Sequence, residues 1–295
     1  MPRKGLVDPY YPQAYPQGFR KEVITPDLNT RVLRTSVIAI VLCSAFYVYA
    51  AQQGETWMVL PDSVDVYTSS SLQAAKARFK LHYPRTIRAT GTLRSASSCD
   101  FLPFEHKGET YWVPEPLVLR ISEAPSPEID LPIGLEGVTK LHPVSPDYRP
   151  SDLVPIPPQY CLNDLPHKLR REAMEACIQM LQDARKAGFD IRIVSSYRTF
   201  TNQRYLYMKA IEKHGLEQNG VAKPGHSQHQ LGTAIDVIGR DLQVLFKEAF
   251  GETPEGKWLI QYAGKYGFMI PYQKENMNQT GYKYEPWHLR YVGKP

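Results

Sequence analysis

Between residues 165 and 188 apolar side chains return every three or four positions: Leu169, Ala173, Ala176, Cys177, Met180, Leu181 and Ala184 form a stripe, and Arg170, Arg171, Glu172, Glu175, Gln182, Asp183 and Arg185 fall largely outside it. That period predicts an amphipathic helix over residues 165–188, stopped by Gly188. The run FDIRIVSS at residues 189–196 predicts a strand with Tyr197 and Arg198 at its end, and residues 201–214 predict a second helix. Ile235, Val237 and Ile238 flank Asp236 as in a strand, where side-chain direction is well fixed. Upstream the rhythm changes. TWMVL, DVYTSS, RTIRATGTL and TYWVPEPLVLRI, all within residues 55–122, alternate and break at Gly and Ser, which predicts a small β-rich domain of barrel type. Within it SLQAAKARFK, residues 71–80, is helix-prone, so a helical insertion is expected there. Residues 123–135 are proline-rich and read as a semi-rigid linker, after which residues 136–295 form an α+β domain.

Residues 35–51, TSVIAIVLCSAFYVYAA, carry no charge. As a helix, at about 1.5 Å per residue, they cover roughly 25 Å against a hydrocarbon core of about 30 Å. A transmembrane signal anchor is expected, with Arg31, Arg34 and the other cations of residues 1–34 on the cytoplasmic side. The alternatives are a cleaved signal peptide, with Ala45, Ala50 and Ala51 ahead of the cut, and a buried soluble helix. Residues 1–34, rich in Pro, Tyr and Gln without any period, read as a disordered tail. Under either membrane reading everything after Gln52 is extracytoplasmic, on the periplasm or cell-wall side.

Charge changes little in this picture. The formal net charge is +5, and the tail supplies +3 of it, with Arg3, Lys4, Arg20, Lys21, Arg31 and Arg34 against Asp8, Glu22 and Asp27. The rest of the chain carries +2 and gives no electrostatic footprint for nucleic acid. Cys43, Cys99, Cys161 and Cys177 make no CxxC, so neither a zinc ribbon nor a thioredoxin-like motif is indicated. Cys161 and Cys177 are expected as two buried free thiols, a disulfide being the alternative outside the cytoplasm.

Candidate chemistry lies in KPGHSQHQLGTAIDVIGR, residues 223–240, and in YEPWHLR, residues 284–290. His229 and Asp236 are ligand types that zinc accepts, and His288 would make a third, leaving the fourth tetrahedral position to water. Three protein ligands with an open position is a catalytic arrangement, and Glu285, three residues before His288, is near enough to serve as base. Taken alone His229 would be read as an ordinary satisfied histidine; the company of Asp236, Glu285 and His288 reverses that reading. His142, His167 and His214 have no such company and read as bystanders.

Ser227, His229, Gly232, Ala234 and Asp236 in SxHxxGxAxD, the ExWH of Glu285 to His288 and the Ser-Tyr-Arg of Ser196 to Arg198 together resemble the VanY-type D-alanyl-D-alanine carboxypeptidases, of the lysostaphin, D-Ala-D-Ala and hedgehog superfamily of zinc proteins. The resemblance implies a zinc peptidase fold for residues 136–295, with Zn2+ on His229, Asp236 and His288, Glu285 as general base, and Arg198 at the oxyanion or the substrate carboxylate. It places Ser227 and Gln203 at positions that bind the C-terminal end of the substrate, and His226 at a variable position. The implied activity is removal of the terminal D-Ala from peptidoglycan stem peptides, with L,D-carboxypeptidase, wall endopeptidase and a non-catalytic zinc-holding wall-binding module as alternatives. Many relatives have Ser-Glu-His where this chain has Ser227-Gln228-His229, which leaves the metal set intact and changes the charge beside it. The β-rich domain is similar in tempo to bacterial SH3-like modules, GETYWV at residues 108–113 resembling their closing strand; Tyr111 and Trp112 are then either core aromatics or part of a wall-binding surface.

Overall fold

The computed structural model describes residues 54–96, 99–121, 139–140 and 142–293. The tail at residues 1–34, the candidate anchor at 35–51 and the linker at 123–135 lie outside the described residues. Among those described, no helix is long and apolar enough to cross a membrane.

The N-terminal part is all β. Strands β1 (Thr56–Val59), β2 (Val64–Tyr67), β3 (Lys76–Leu81), β4 (Thr86–Arg88), β5 (Arg94–Ser95), β6 (Asp100–His106), β7 (Glu109–Pro114) and β8 (Val118–Arg120) form two antiparallel sheets, in the orders β3-β2-β7-β6-β5 and β4-β1-β8. Val59, Val66, Leu102, Val113 and Val118 are fully buried in the core they share. The helix expected within residues 71–80 is not formed. Lys76 to Leu81 instead pair with β2 in the register Val64↔Leu81, and Lys76 and Lys80 flank the Asp65 carboxylate at 2.5 and 3.4 Å. The segment also reads with period two, Ala77 and Phe79 facing the core and the cations facing solvent, so strand pairing outweighs the intrinsic preference. Trp112 is buried against Tyr67 and Phe101, whereas Tyr111 is half-buried.

The C-terminal part is built on a four-stranded antiparallel sheet. Two short strands, β9 (Leu153–Pro155) and β10 (Lys168–Arg170), pair with each other ahead of it, and β11 (Arg192–Ser195), β12 (Ala234–Ile238), β13 (Phe268–Met269) and β14 (His288–Tyr291) take the order β11-β12-β14-β13. Helix α1 (Arg171–Lys186) lays Ala173, Ala176, Cys177, Met180, Leu181 and Ala184 against Ile193, Ile235, Val237 and Leu289 of the sheet. It begins at Arg171 rather than 165 because Lys168 to Arg170 are used in the ladder with β9, which buries Leu169 opposite Val154. Helix α2 (Phe200–His214) starts where the Thr199 hydroxyl accepts the Asn202 N–H at 3.2 Å. A third helix, α3 (Pro254–Tyr262), adds Trp258 and Leu259 to the same core. Cys161 and Cys177 are both free and buried, and burial pushes the Cys161 thiol up to about 11.

The two parts pack on each other through α2. Met58, Leu60 and Leu119 of the β-rich part meet Phe200 and Tyr207, the Tyr207 hydroxyl donates to the Pro116 carbonyl at 3.0 Å, and Lys223 reaches Glu115 at 2.6 Å. Arg204 binds the Leu60 carbonyl and the Asp62 carboxylate while lying 3.9 Å over the Tyr83 ring. Leu60 is completely buried in this contact. Truncating it in Leu60→Ala is expected to cost about 2–5 kcal/mol in urea unfolding of the full chain; a loss under about 1 kcal/mol would show that the two parts do not pack together.

Candidate metal centre and active site

Register across the sheet assembles most of the site. On β12, Asp236 lies opposite His288 of β14 on one side and Ser195 of β11 on the other, so the three side chains share one face. His229 arrives from a one-turn 3-10 segment, Gln228–Leu231, that Gly232 closes at φ 71°. A Cβ at Gly232 would come within 2.9 Å of Leu153 and 3.1 Å of Arg170, so both the conformation and the space call for glycine. The result is a buried triplet, with His229 Nε2 3.1 Å from Asp236 Oδ2 and His288 Nδ1 2.9 Å from Asp236 Oδ1. One donor atom from each lies within 4.8 Å of the others.

The outer contacts of the two rings fix what they present inward. The backbone carbonyl of Ser196, which can only accept, meets His229 Nδ1 at 2.8 Å, so the ring proton is on Nδ1 and the Nε2 lone pair points at Asp236. His288 faces the Gln228 amide oxygen with Nε2 at 3.0 Å and Asp236 Oδ1 with Nδ1 at 2.9 Å, so a metal on Nδ1 would leave the Nε2–H with an acceptor in Gln228. Burial lowers the His229 pKa and keeps the ring neutral. Burial pushes the Asp236 carboxyl up, but His229 and His288 beside it outweigh that and hold it below the usual carboxylate range. The His229 Nε2 lone pair and Asp236 Oδ2 therefore meet acceptor against acceptor at 3.1 Å, and a cation between them resolves the conflict. With bonds of about 2.0–2.1 Å, tetrahedral zinc has ligand-to-ligand edges of about 3.3 Å, close to the 3.1 and 2.9 Å found here. The residues fit zinc.

Glu285 and Arg198 complete the wall. Glu285 sits in the turn before β14, its N–H on the Tyr272 carbonyl and its carbonyl taking the His288 N–H, both at 3.0 Å. It lines the same cavity of about 1160 Å³ as the triplet, and burial raises its carboxyl to about 7 against the opposing pull of His288. Arg198, at the end of β11, donates to Ser195 Oγ and Gln203 Oε1, each at 2.7 Å, and lies 3.8 Å from Asp236 Oδ2. Its buried Nε meets no acceptor among the described residues. Gln203 passes the tie onward, its Nε2 donating to the Ala222 carbonyl at 2.7 Å. Gln203 thus buttresses Arg198 and borders the cavity at the same time. Ser227 also borders the cavity, buried, and its hydroxyl does not cap the turn that follows.

His226 turns away from the triplet, its Nδ1 meeting the Thr139 carbonyl at 2.7 Å. His167 is not a simple bystander: it bonds Ser196 Oγ at 3.1 Å and Asn163 at 2.8 Å, bracing the residue whose carbonyl orients His229. Three further side chains contribute, and the sequence pointed to none of them as a support of the site. Tyr272 stacks on the His288 ring at 5.1 Å, Lys140 reaches the Gly281 carbonyl at 2.6 Å and covers the Tyr282 ring at 4.3 Å, and Gln228 holds His288. Only Gln228 carried a signal, through its place inside the motif.

A family model described as VanY, D-alanyl-D-alanine carboxypeptidase, matches residues 166–294. YodJ of Bacillus subtilis (strain 168), a carboxypeptidase by name alone, is 39% identical over 161 residues, 53% of this chain and 59% of YodJ, so less than two thirds of that relative's length is spanned. The bifunctional D-Ala-D-Ala dipeptidase and D-Ala-D-Ala carboxypeptidase VanXYC of Enterococcus gallinarum is 34% identical over 165 residues, which is 55% of this chain and 84% of VanXYC. Among solved structures, the LdcB LD-carboxypeptidase, described for its recognition of peptidoglycan, is similar at a TM-score of 0.51 and 38% identity, covering 54% of this chain and 76% of LdcB.

Proposed function

Because the chain belongs to the VanY family of D-alanyl-D-alanine carboxypeptidases, we propose that it is a zinc-dependent D,D-carboxypeptidase that hydrolyses the terminal D-Ala from peptidoglycan stem peptides. The observation that carries the reading is the buried convergence of His229, Asp236 and His288, with the Ser196 carbonyl turning the His229 Nε2 lone pair toward the carboxylate. His229 Nε2, a carboxylate oxygen of Asp236 and His288 Nδ1 would hold the ion. Bound there, zinc supplies a Lewis acid that polarises the scissile carbonyl and acidifies water. Glu285 takes the proton of the attacking water and returns it to the leaving amine. Arg198, fixed by Ser195 and Gln203, offers its free Nε–H to the oxyanion or to the substrate carboxylate, and Ser227 binds the C-terminal end beside it.

Purified full-length chain with zinc and a pentapeptide stem should release D-alanine; no release sinks the activity. Likeness to an LD-carboxypeptidase supports a second reading, action on tetrapeptide stems, and comparing tri-, tetra- and pentapeptides separates the two and exposes an endopeptidase. A non-catalytic zinc-holding module would have no use for the base at Glu285. Replacing the guanidinium in Arg198→Ala is expected to lower kcat about 10²- to 10³-fold. A change in KM alone would assign Arg198 to ground-state binding instead.

The proposal extends to place. Residues 35–51 would anchor the protein, with residues 1–34 in the cytoplasm and the rest on the periplasm or cell-wall side, a reading supported by the uncharged run and the cations before it. Residues 55–122 would be an SH3-like module and residues 136–295 the catalytic domain, supported by the two-sheet antiparallel arrangement of the first and the family match within the second. Protease added to intact spheroplasts should digest residues 55–295 and spare the tail; protection of the whole chain would overturn this topology.

A further inference from the structure

We infer that Gln228 is a positioning residue for the metal site, its amide oxygen accepting the His288 Nε2–H when Nδ1 holds the ion and so orienting the ring. The inference rests on the zinc reading above and deepens it. Gln228 stands between Ser227 and His229 in sequence, sixty residues before its partner, and the turn that delivers His229 also lays the Gln228 amide against the far edge of the His288 ring at 3.0 Å. Both residues are buried. Tyr272 stacks on the ring face with an interplanar angle of 23°, so the ring is held on its face and at both nitrogens.

The chemistry follows from counting protons. A neutral imidazole carries one N–H, and an amide oxygen at Nε2 is satisfied only if the proton is there. Without the ion, the Asp236 carboxylate at 2.9 Å draws the ring proton to Nδ1. A metal on Nδ1 moves the ring's one N–H to Nε2, where the Gln228 oxygen at 3.0 Å accepts it; without that oxygen the N–H would be buried and unpaired. The neutral oxygen of Gln228 does this without adding negative charge beside the pair that Asp236 already serves. A glutamate at this position would accept the same N–H and make the ring a stronger donor.

Three versions of the full chain test this: wild type, Gln228→Leu, which keeps bulk and removes the acceptor, and Gln228→Glu, which restores an acceptor. Zinc affinity by chelator competition should fall about 10- to 100-fold in Gln228→Leu and return to wild-type strength or better in Gln228→Glu. Nitrogen-15 and proton spectra of the His288 ring in zinc-loaded protein should show a hydrogen-bonded Nε2–H in wild type and Gln228→Glu, and an Nε2–H without that bond in Gln228→Leu. Zinc binding in Gln228→Leu within about twofold of wild type, or an unchanged Nε2–H signal, overturns the proposal. Should Gln228→Leu fail to fold, weaker zinc binding by Gln228→Glu than by wild type overturns it equally. Failure of wild type to bind zinc at all would instead defeat the zinc reading itself.

Discussion

Glu285→Ala is expected to retain one zinc per chain and to lose activity by about 10³-fold or more in kcat, near the upper range for a removed general acid–base group. The side chain is not among the three that converge, yet it shares their cavity, and its main-chain bonds to Tyr272 and His288 fix where it projects. Burial sets its carboxyl at about 7, close to the pH at which a base works best. The sign of the pH dependence follows: the base acts only when ionised, a bound dication lowers its pKa, and kcat/KM should rise with pH along an acid limb centred no higher than about 7, a limb absent in Glu285→Ala. Zinc content by atomic emission, with D-alanine release across pH, checks both halves. Loss of zinc in this variant would make Glu285 a ligand.

Asp236→Ala is expected to do the opposite, removing zinc and activity together. Loss of an outer partner of a ligand costs about 10- to 100-fold in metal affinity, and removing a ligand itself should exceed that. The change also leaves Arg198 Nη2, 3.8 Å away, without the buried carboxylate that balances it, at a cost of about 3 kcal/mol in stability. Since the folded-state pKa of Asp236 lies below its ordinary 3.8, its contribution is complete at neutral pH and is lost only as pH falls through the lower, folded value. Denaturant unfolding of metal-free wild type and variant at pH 7, beside zinc titration, measures the two effects separately. A variant that still binds zinc at wild-type strength would remove Asp236 from the site.

The candidate site was legible in the sequence because its residues sit in short ordered motifs. His229, Asp236, Glu285 and His288 could be named from residue type and order, and the alternation around Asp236 correctly placed it on a strand. What brings His288 to Asp236 is sheet register, β12 against β14, and no local pattern states which strands pair. The same limit explains the misreading of residues 71–80, where the lysines that favour a helix find Asp65 on a neighbouring strand, and the late start of α1, where three residues of a helical period serve a ladder with β9. Gln203 and Gln228 were visible as motif positions, but their work as supports of Arg198 and His288 depends on contacts that only the fold makes. The packing of the β-rich part on α2 was equally hidden, since Leu60 and Tyr207 give no sign in sequence that they meet.

X-ray absorption at the zinc edge of the metal-loaded full chain addresses the site itself. The account predicts a first shell of nitrogen and oxygen at about 2.0–2.1 Å with the outer scattering of two imidazoles. Sulfur at about 2.3 Å, or scattering from a single imidazole, would contradict it.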